Sequence, residues 1–192
     1  MYKKMVKRRL DVLFSGVLLI VGAIPMAVIA VLVATTSKGP VFFKQERFGL
    51  NSKKFVIYKF RTMYIEAPVV SNQEFSDIHN YLTPLGSFLR KTSLDELPQL
   101  WNVFIGDMSF VGPRPLAETD YDVIKLRQQT GADRVRPGIT GLAQVNGRNL
   151  ISDNQKAAYD DEYVKNLTFA MEFKVVFKTF FSVAQQEGIN KS

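Results

Sequence analysis

VLFSGVLLIVGAIPMAVIAVLVATTS, residues Val12–Ser37, decides how the rest of this chain can be arranged. It holds 26 residues without a charge, more than the roughly 20 that a helix needs to cross bilayer hydrocarbon. Basic residues flank it on both sides: Lys3, Lys4, Lys7, Arg8 and Arg9 ahead, Lys38, Lys44, Arg47, Lys53 and Lys54 behind. A cleaved signal peptide would have a shorter apolar core and a small-residue cleavage region, which this run lacks. A straight spanning helix would leave one basic cluster outside the cytoplasm. A helix that bends at Pro25, where the ring removes a backbone hydrogen bond, and then returns keeps both clusters inside. Both arrangements fit the composition, and the re-entrant hairpin is the expectation: residues 1–37 as a re-entrant membrane helix and 38–192 as a cytoplasmic domain.

Charge supports a lipid partner. The net +7 is unevenly spread: residues 1–65 hold 12 Lys/Arg against two acids, Asp11 and Glu46, and the remainder is net negative. A nucleic-acid binder would carry its basic face on the folded domain, whereas here the basic residues border the apolar run, the pattern that anionic lipid attracts. No nucleic-acid partner is expected. The chain has no cysteine and one histidine, His79, in the polar stretch SNQEFSDIHN. Disulfides and thiolate or histidine metal centres are therefore excluded, and any metal must take oxygen ligands, which favours magnesium or calcium.

Beyond Gly39-Pro40, Val41–Arg47 and Lys54–Thr62 are rich in β-branched and aromatic residues and joined by Gly49-Leu50-Asn51-Ser52, which reads as a β-hairpin. Glu66–Asn80 is polar and reads as a loop or short helix. Thr83-Pro84-Leu85-Gly86 opens a short helix through Arg90, and further helices are expected near 97–105, 116–130 and 155–165. In TFAMEFKVVFKTFFSVA, Phe169, Phe173, Phe177 and Phe180 recur at helical spacing with Lys174 and Lys178 between them. That stripe either faces a core or lies on a bilayer as an interfacial helix. The fold class expected is α/β, mostly helical, with a β-hairpin and amphipathic interfacial helices.

The chemistry centres on SLDELPQL, residues Ser93–Leu100, where Asp95 and Glu96 stand side by side among leucines. Ser93-x-x-Glu96 has the form of a capping box, but with Ser93 as the cap Pro98 would fall inside the helix. A helix starting at Asp95 or Leu97 tolerates Pro98 in its first turn and puts both acids where the helix dipole would depress their pKa. An acidic cap and a reactive pair both remain open at this point. Downstream, GDMSFVGPRP clamps Arg114 between Pro113 and Pro115, which lowers the entropy lost when its guanidinium engages an anion. RVRPGITGLAQVNGR then sets Gly138, Gly141 and Gly147 among Arg134, Arg136 and Arg148, a combination suited to close backbone approach and bidentate phosphate binding. Together with a basic-flanked membrane element, these motifs point to a phosphorylated substrate met at a membrane.

The ordered set KFRTM (Lys59–Met63), SLDELPQLWNV (Ser93–Val103), GDMSFVGPRP (Gly106–Pro115) and RPGITGLAQVNGR (Arg136–Arg148) resembles the bacterial sugar transferases. More narrowly, it is similar to the small, monotopic phosphoglycosyl transferases, without the transmembrane bundle that precedes the catalytic part in longer members. The resemblance implies transfer of a sugar 1-phosphate from a UDP-sugar to polyprenol (undecaprenyl) phosphate, giving a polyprenol-diphosphate sugar and UMP. That is the first membrane step of glycan, capsule or exopolysaccharide synthesis, with downstream glycosyltransferases as possible partners. It implies a place on the cytoplasmic face of the bacterial inner membrane. It makes Asp95 the nucleophile that carries an aspartyl-phosphosugar intermediate, Glu96 its acidic partner, and Mg2+ the cofactor at Asp95. Lys59, Arg61, Arg90, Arg114, Arg136, Gln144, Asn146 and Arg148 would bind substrate. Members of the family often place a serine before the hairpin proline, where this chain has Ile24. Alternatives are the same chemistry with a plain hexose rather than an N-acetylated sugar, and an inert membrane-anchored regulatory protein that would tolerate amides at Asp95 and Glu96.

Overall fold

The structure, a computed structural model, describes residues 5–68, 78–147 and 150–184. Helices α1 (Lys7–Thr36), α2 (Gly86–Thr92), α3 (Gln99–Ile105), α4 (Tyr121–Thr130), α5 (Leu142–Val145), α6 (Asp153–Lys165) and α7 (Phe169–Ala184) surround two small sheets. Strands β1 (Phe42–Phe48) and β2 (Lys54–Phe60) make the expected antiparallel hairpin, closed by Asn51 and Ser52 in the left-handed region. Strands β3 (Ser109–Val111) and β4 (Gly138–Thr140) pair in parallel, an element the sequence reading did not include. His79 belongs to a 3-10 turn, Ile78–Tyr81. The core of the expected loop at Glu66–Asn80, residues 69–77, lies outside the described residues.

The glycines of the GPRP and RPGITG motifs explain that parallel pair. A Cβ on Gly138 would meet Gly112 N at 2.1 Å, and one on Gly141 would meet Gly112 O at 2.2 Å. These positions must lack a side chain so that two strands can touch. The expectation that they open the backbone to phosphate is corrected accordingly: it is backbone that approaches them, in the form of the neighbouring strand.

Helix α1 runs without interruption through Pro25. The sequence reading expected the chain to turn there. A proline inside a helix removes one hydrogen bond and its ring clashes with the carbonyl four residues back, which can bend a helix without ending it; here the helix continues on both sides. Both of its ends dock on the same body. At the start, Asp11 accepts from Ser109 Oγ at 2.9 Å and from Phe110 N at 3.3 Å, Lys7 pairs with Glu172 of α7, and Arg8 donates to Val103 O and Phe104 O of α3 at 2.6 and 2.9 Å. At the finish, Ile29 and Val33 are buried with Phe60 and Leu89. Between these anchors the helix stands clear, with Ile20 79% and Ile24 78% exposed.

Helix α7 buries Val175, and its partly buried Glu172 accepts from Tyr163, while the phenylalanines face outward. Phe169, Phe173, Phe177 and Phe180 are all exposed, so the core-facing alternative for that stripe is excluded.

The exit of α1 is held by one side chain. The buried Arg61 guanidinium donates from Nε to Pro40 O at 2.7 Å, from Nη1 to Lys38 O at 2.6 Å, and from Nη2 to Ser37 O and Gly39 O at 2.9 and 3.4 Å. A helix end leaves carbonyls without partners, and a planar five-donor fork can serve several at once. The sequence reading placed Arg61 among the substrate-binding residues; here its guanidinium is turned to the backbone of residues 37–40. Arg61→Lys keeps the charge but only a compact ammonium, and should destabilise the chain by about 2–4 kcal/mol, since hydrogen bonds to charged groups contribute ~1.5–3 kcal/mol each and cannot all be replaced. A thermal melt in detergent measures this, and an unchanged midpoint would show that water serves the carbonyls equally well.

Candidate active site

Asp95 sits on a 3-10 turn, Leu94–Glu96, between α2 and α3. Ser93 before it is left-handed (φ 57°, ψ 17°) and makes no side-chain cap. An N-cap serine needs extended dihedrals to reach back to the turn, so the capping-box reading fails on backbone geometry. Pro98 stands immediately ahead of α3, where its missing N–H costs nothing. Leu94 and Leu97 pack against the core of Phe60 and Leu89, while Leu100 and Val103 are buried. The leucines of SLDELPQL therefore fix the turn, and the two acids ride on it.

The strand β2 delivers the basic partners. Asn102 of α3, fully buried, accepts from Tyr58 N at 3.2 Å and donates to Val56 O at 2.7 Å, which locks β2 against α3. Lys59 then reaches Glu96 Oε1 at 2.6 Å. Two residues past Arg61, the motif finishes by holding Arg90: its Nε donates to Thr62 Oγ1 at 2.9 Å and its Nη2 to Met63 Sδ at 3.0 Å. Burial lowers the Arg90 pKa, and the neighbouring Asp95 charge acts in the opposite direction. Lys59, Arg90, Asp95 and Glu96 thus form one cluster.

Asp95 is 8% exposed. Burial pushes its pKa up to about 6; Lys59 and Arg90 pull it down, and Glu96 adds to the rise. The sequence expectation, a pKa depressed by a helix dipole, is overturned. A single 3-10 turn has little macrodipole, and desolvation of the carboxylate outweighs it. At neutral pH a group with this pKa is still roughly nine-tenths ionised. The result is an anion stripped of most of its water and flanked by two cations.

The remaining expected binding residues are spread over the molecule. Arg114 is exposed, projecting from a loop whose flanking Pro113 and Pro115 are buried. Beside it lies Arg47, which the motif reading passed over, donating to Gln45 Oε1 at 2.6 Å and 4.0 Å from Asp120. Burial and then the Arg114 charge lower the Arg47 pKa. Hairpin register could have flagged it: Lys59 pairs with Phe43, and Arg47 follows four residues along β1 on the same face, roughly 13 Å away. Arg136 donates from Nε to Gly106 O at 2.7 Å, capping the far end of α3, on the order of 10 Å along that helix from the acids. Gln144 donates to Ile139 O at 3.0 Å. Asn146 donates to Leu142 O at 2.8 Å and accepts from Lys178 at 3.0 Å. Arg148 lies outside the described residues.

Asp95 and Glu96 also define what metal this site could hold. Among the described residues no group of three or more His, Asp or Glu side chains comes together. Mg2+ keeps several waters and binds through one or two carboxylates plus substrate phosphates, so an adjacent carboxylate pair is a fitting donor set for it.

A model of the family described as bacterial sugar transferase matches residues 2–186. The chain is 46% identical to the uncharacterized sugar transferase EpsL of Bacillus subtilis (strain 168), over 80% of this chain and 74% of that one. It is 40% identical to the UDP-glucose:undecaprenyl-phosphate glucose-1-phosphate transferase of Klebsiella pneumoniae, over 97% of this chain and 41% of that protein. With the undecaprenyl-phosphate galactose phosphotransferase of Salmonella typhimurium (strain LT2) it shares 34% identity, over 96% of this chain and 42% of that protein. The chain therefore spans about two fifths of the length of the relatives named for a donor sugar.

The raised pKa of Asp95 has a stability consequence with a definite sign. Its folded value, about 6, exceeds the ordinary 3.8, so its ionisation opposes folding fully above the folded pKa and not at all below the unfolded one. Asp95→Asn should melt higher than wild type near pH 8, by about 2–3 kcal/mol, with the gap closing towards pH 4. Calorimetry across that range checks it; a variant that is less stable at pH 8 would show that the carboxylate is favourably paired instead.

Proposed function

The chain belongs to the bacterial sugar transferases, and from that premise we propose that it moves a sugar 1-phosphate from a UDP-sugar to polyprenol phosphate through a covalent intermediate on Asp95. The observation that carries this reading is a buried carboxylate, its pKa near 6, set between Lys59–Glu96 and Arg90. In the first step an Asp95 oxygen attacks the β-phosphorus. The bond from that phosphorus to the bridging oxygen breaks, and UMP departs with the oxygen. In the second, a phosphate oxygen of polyprenol phosphate attacks the same phosphorus, and the Asp95 carboxylate leaves unchanged. Two sequential displacements give ping-pong kinetics.

Desolvation makes Asp95 a stronger nucleophile than an exposed carboxylate, while Lys59 and Arg90 offset its repulsion from the diphosphate. Glu96 holds Lys59 in place beside it. Arg114 and its neighbour Arg47 take the uridylate phosphate. Asp95 and Glu96 would hold Mg2+, which supplies charge neutralisation on the diphosphate. The relatives named for a donor act on glucose or galactose, which favours a plain hexose over an N-acetylated sugar. Without polyprenol phosphate the chain should release at most one UMP per protein from UDP-glucose or UDP-galactose, and repeated turnover should require polyprenol phosphate. It should be lost in Asp95→Asn and in EDTA, with Mg2+ restoring it better than Zn2+. Its kcat/KM should fall below a pKa near 6. Robust turnover by Asp95→Asn, or an acid limb near 4, would remove Asp95 from the role.

We further propose that the chain is monotopic, on the cytoplasmic face of the bacterial inner membrane, with α1 entering and leaving on one side. The support is that one small body grips α1 at both ends, through Asp11 with Ser109 and through Val33 with Phe60. A water-soluble body cannot touch both ends of a helix that crosses the bilayer. Trp101, Phe104 and Ile105 of α3 and the α7 phenylalanines add exposed aromatic and aliphatic side chains of the kind that mark a membrane-facing surface. Cysteines placed one at a time as Lys3→Cys and Lys53→Cys should both resist an impermeant maleimide in intact cells and react once the cells are opened. Labelling of the first alone in intact cells would mean that α1 spans.

A further inference from the structure

Arg127 and Asp160 take no part in the reaction proposed above, yet they form a buried ion pair with an unusual shape. Arg127 Nε and Nη2 both bind the same oxygen, Asp160 Oδ2, at 2.8 and 2.6 Å. Asp160 Oδ1 is buried without a partner among the described residues. An arginine–carboxylate pair arranged for its own strength would use both oxygens in a parallel fork. Here the guanidinium is turned so that its third nitrogen, Nη1, donates to Arg114 O at 2.8 Å. Arg127 is 7% exposed and Asp160 1%, so both charges have been taken out of water, where a pair of well-packed apolar side chains is often as stable.

What the pair holds is the loop that carries Arg114. Its other main-chain contacts are all backbone: Gly112 N donates to Thr140 O at 2.9 Å, Gly138 N to Pro113 O at 2.9 Å, and Phe48 N to Leu116 O at 2.8 Å. At Arg114 itself the sheet partners have ended. The neighbouring Pro115 has no N–H to offer, and a small cavity lined by Phe48, Pro113, Leu116, Arg127 and Pro137 lies against the loop. Gly112, Pro113 and Leu116 are thus held by backbone partners, and the carbonyl of Arg114 between them is held by Arg127. We propose that Arg127, oriented by Asp160, is a positioning residue that aims Arg114 at the phosphate of the nucleotide substrate. The inference rests on the reading of Arg114 as a substrate contact.

The test uses the full chain in detergent or nanodiscs, with UMP as the probe, titrated calorimetrically alongside thermal melts. Arg114→Ala comes first and should weaken UMP binding about tenfold, the loss of one charge-assisted contact. If it does not, the reading of Arg114 fails and the positioning role falls with it. Arg127→Met combined with Asp160→Leu removes both buried charges at similar volume. It should melt like wild type yet bind UMP about as weakly as Arg114→Ala, and should add nothing further in an Arg114→Ala background. Recovery of both stability and UMP affinity in the double variant would mean that the pair is only structural, and would overturn the proposal. Should that variant not melt cooperatively, Arg127→Lys decides instead. Its single ammonium can stay with Asp160 but cannot also span to Arg114 O, so UMP affinity should drop while the fold persists; wild-type affinity in Arg127→Lys would overturn the proposal equally.

Discussion

The guanidinium of Arg61 holds the four residues that follow α1, and the stretch that carries it also places the cations beside Asp95. Four carbonyls from Ser37 to Pro40 converge on this one side chain. Lys59 lies two residues before it and faces Glu96; Thr62 and Met63 follow directly and hold Arg90. Five consecutive residues thus join the end of α1 to both cations beside Asp95. Movement of the helix end would be felt at Asp95 through a single strand, without a long relay. Helix α1 is in this sense part of the scaffold around Asp95: Phe60, the second of those five residues, shares its core with Ile29 and Val33.

The second constraint is electrostatic. A carboxylate asked to attack a diphosphate must be anionic, yet an anion in full water is a poor nucleophile and is repelled by its target. Burial solves the first half by removing solvent, at the cost of a raised pKa. Lys59 and Arg90 limit that rise, so that the group remains mostly ionised near neutrality. The folded state is less stable for carrying this charge, a trade of stability for reactivity that active sites commonly show.

Much of this was legible from sequence, and the failures have physical causes. Helices and the hairpin followed from periodicity and turn residues, because those signals are local. The pairing of β3 with β4 was not legible: each strand is three residues long, and they are separated in sequence by the whole of α4. Their glycines looked like phosphate-binding residues because close backbone approach has the same signature whatever approaches. Arginines were the hardest to place. Arg61, Arg90, Arg114 and Arg136 share one chemistry, but burial assigns the first to carbonyls and the last to the end of α3, and leaves Arg114 exposed. Spacing in the chain carries no information on which carbonyls lie within reach. The pKa of Asp95 was misjudged for a related reason, since a sequence shows the helix start but not the depth at which it sits.

The central claim is that Asp95 itself becomes bonded to phosphorus. Intact-protein mass spectrometry after mixing the purified chain with UDP-glucose, UDP-galactose and Mg2+, with no polyprenol phosphate, tests it most directly. The account predicts a mass increase of one hexose phosphate, mapped by peptide fragmentation to Asp95 and discharged on adding polyprenol phosphate. An unmodified protein under conditions in which the complete mixture turns over, or a label on any other residue, would contradict it.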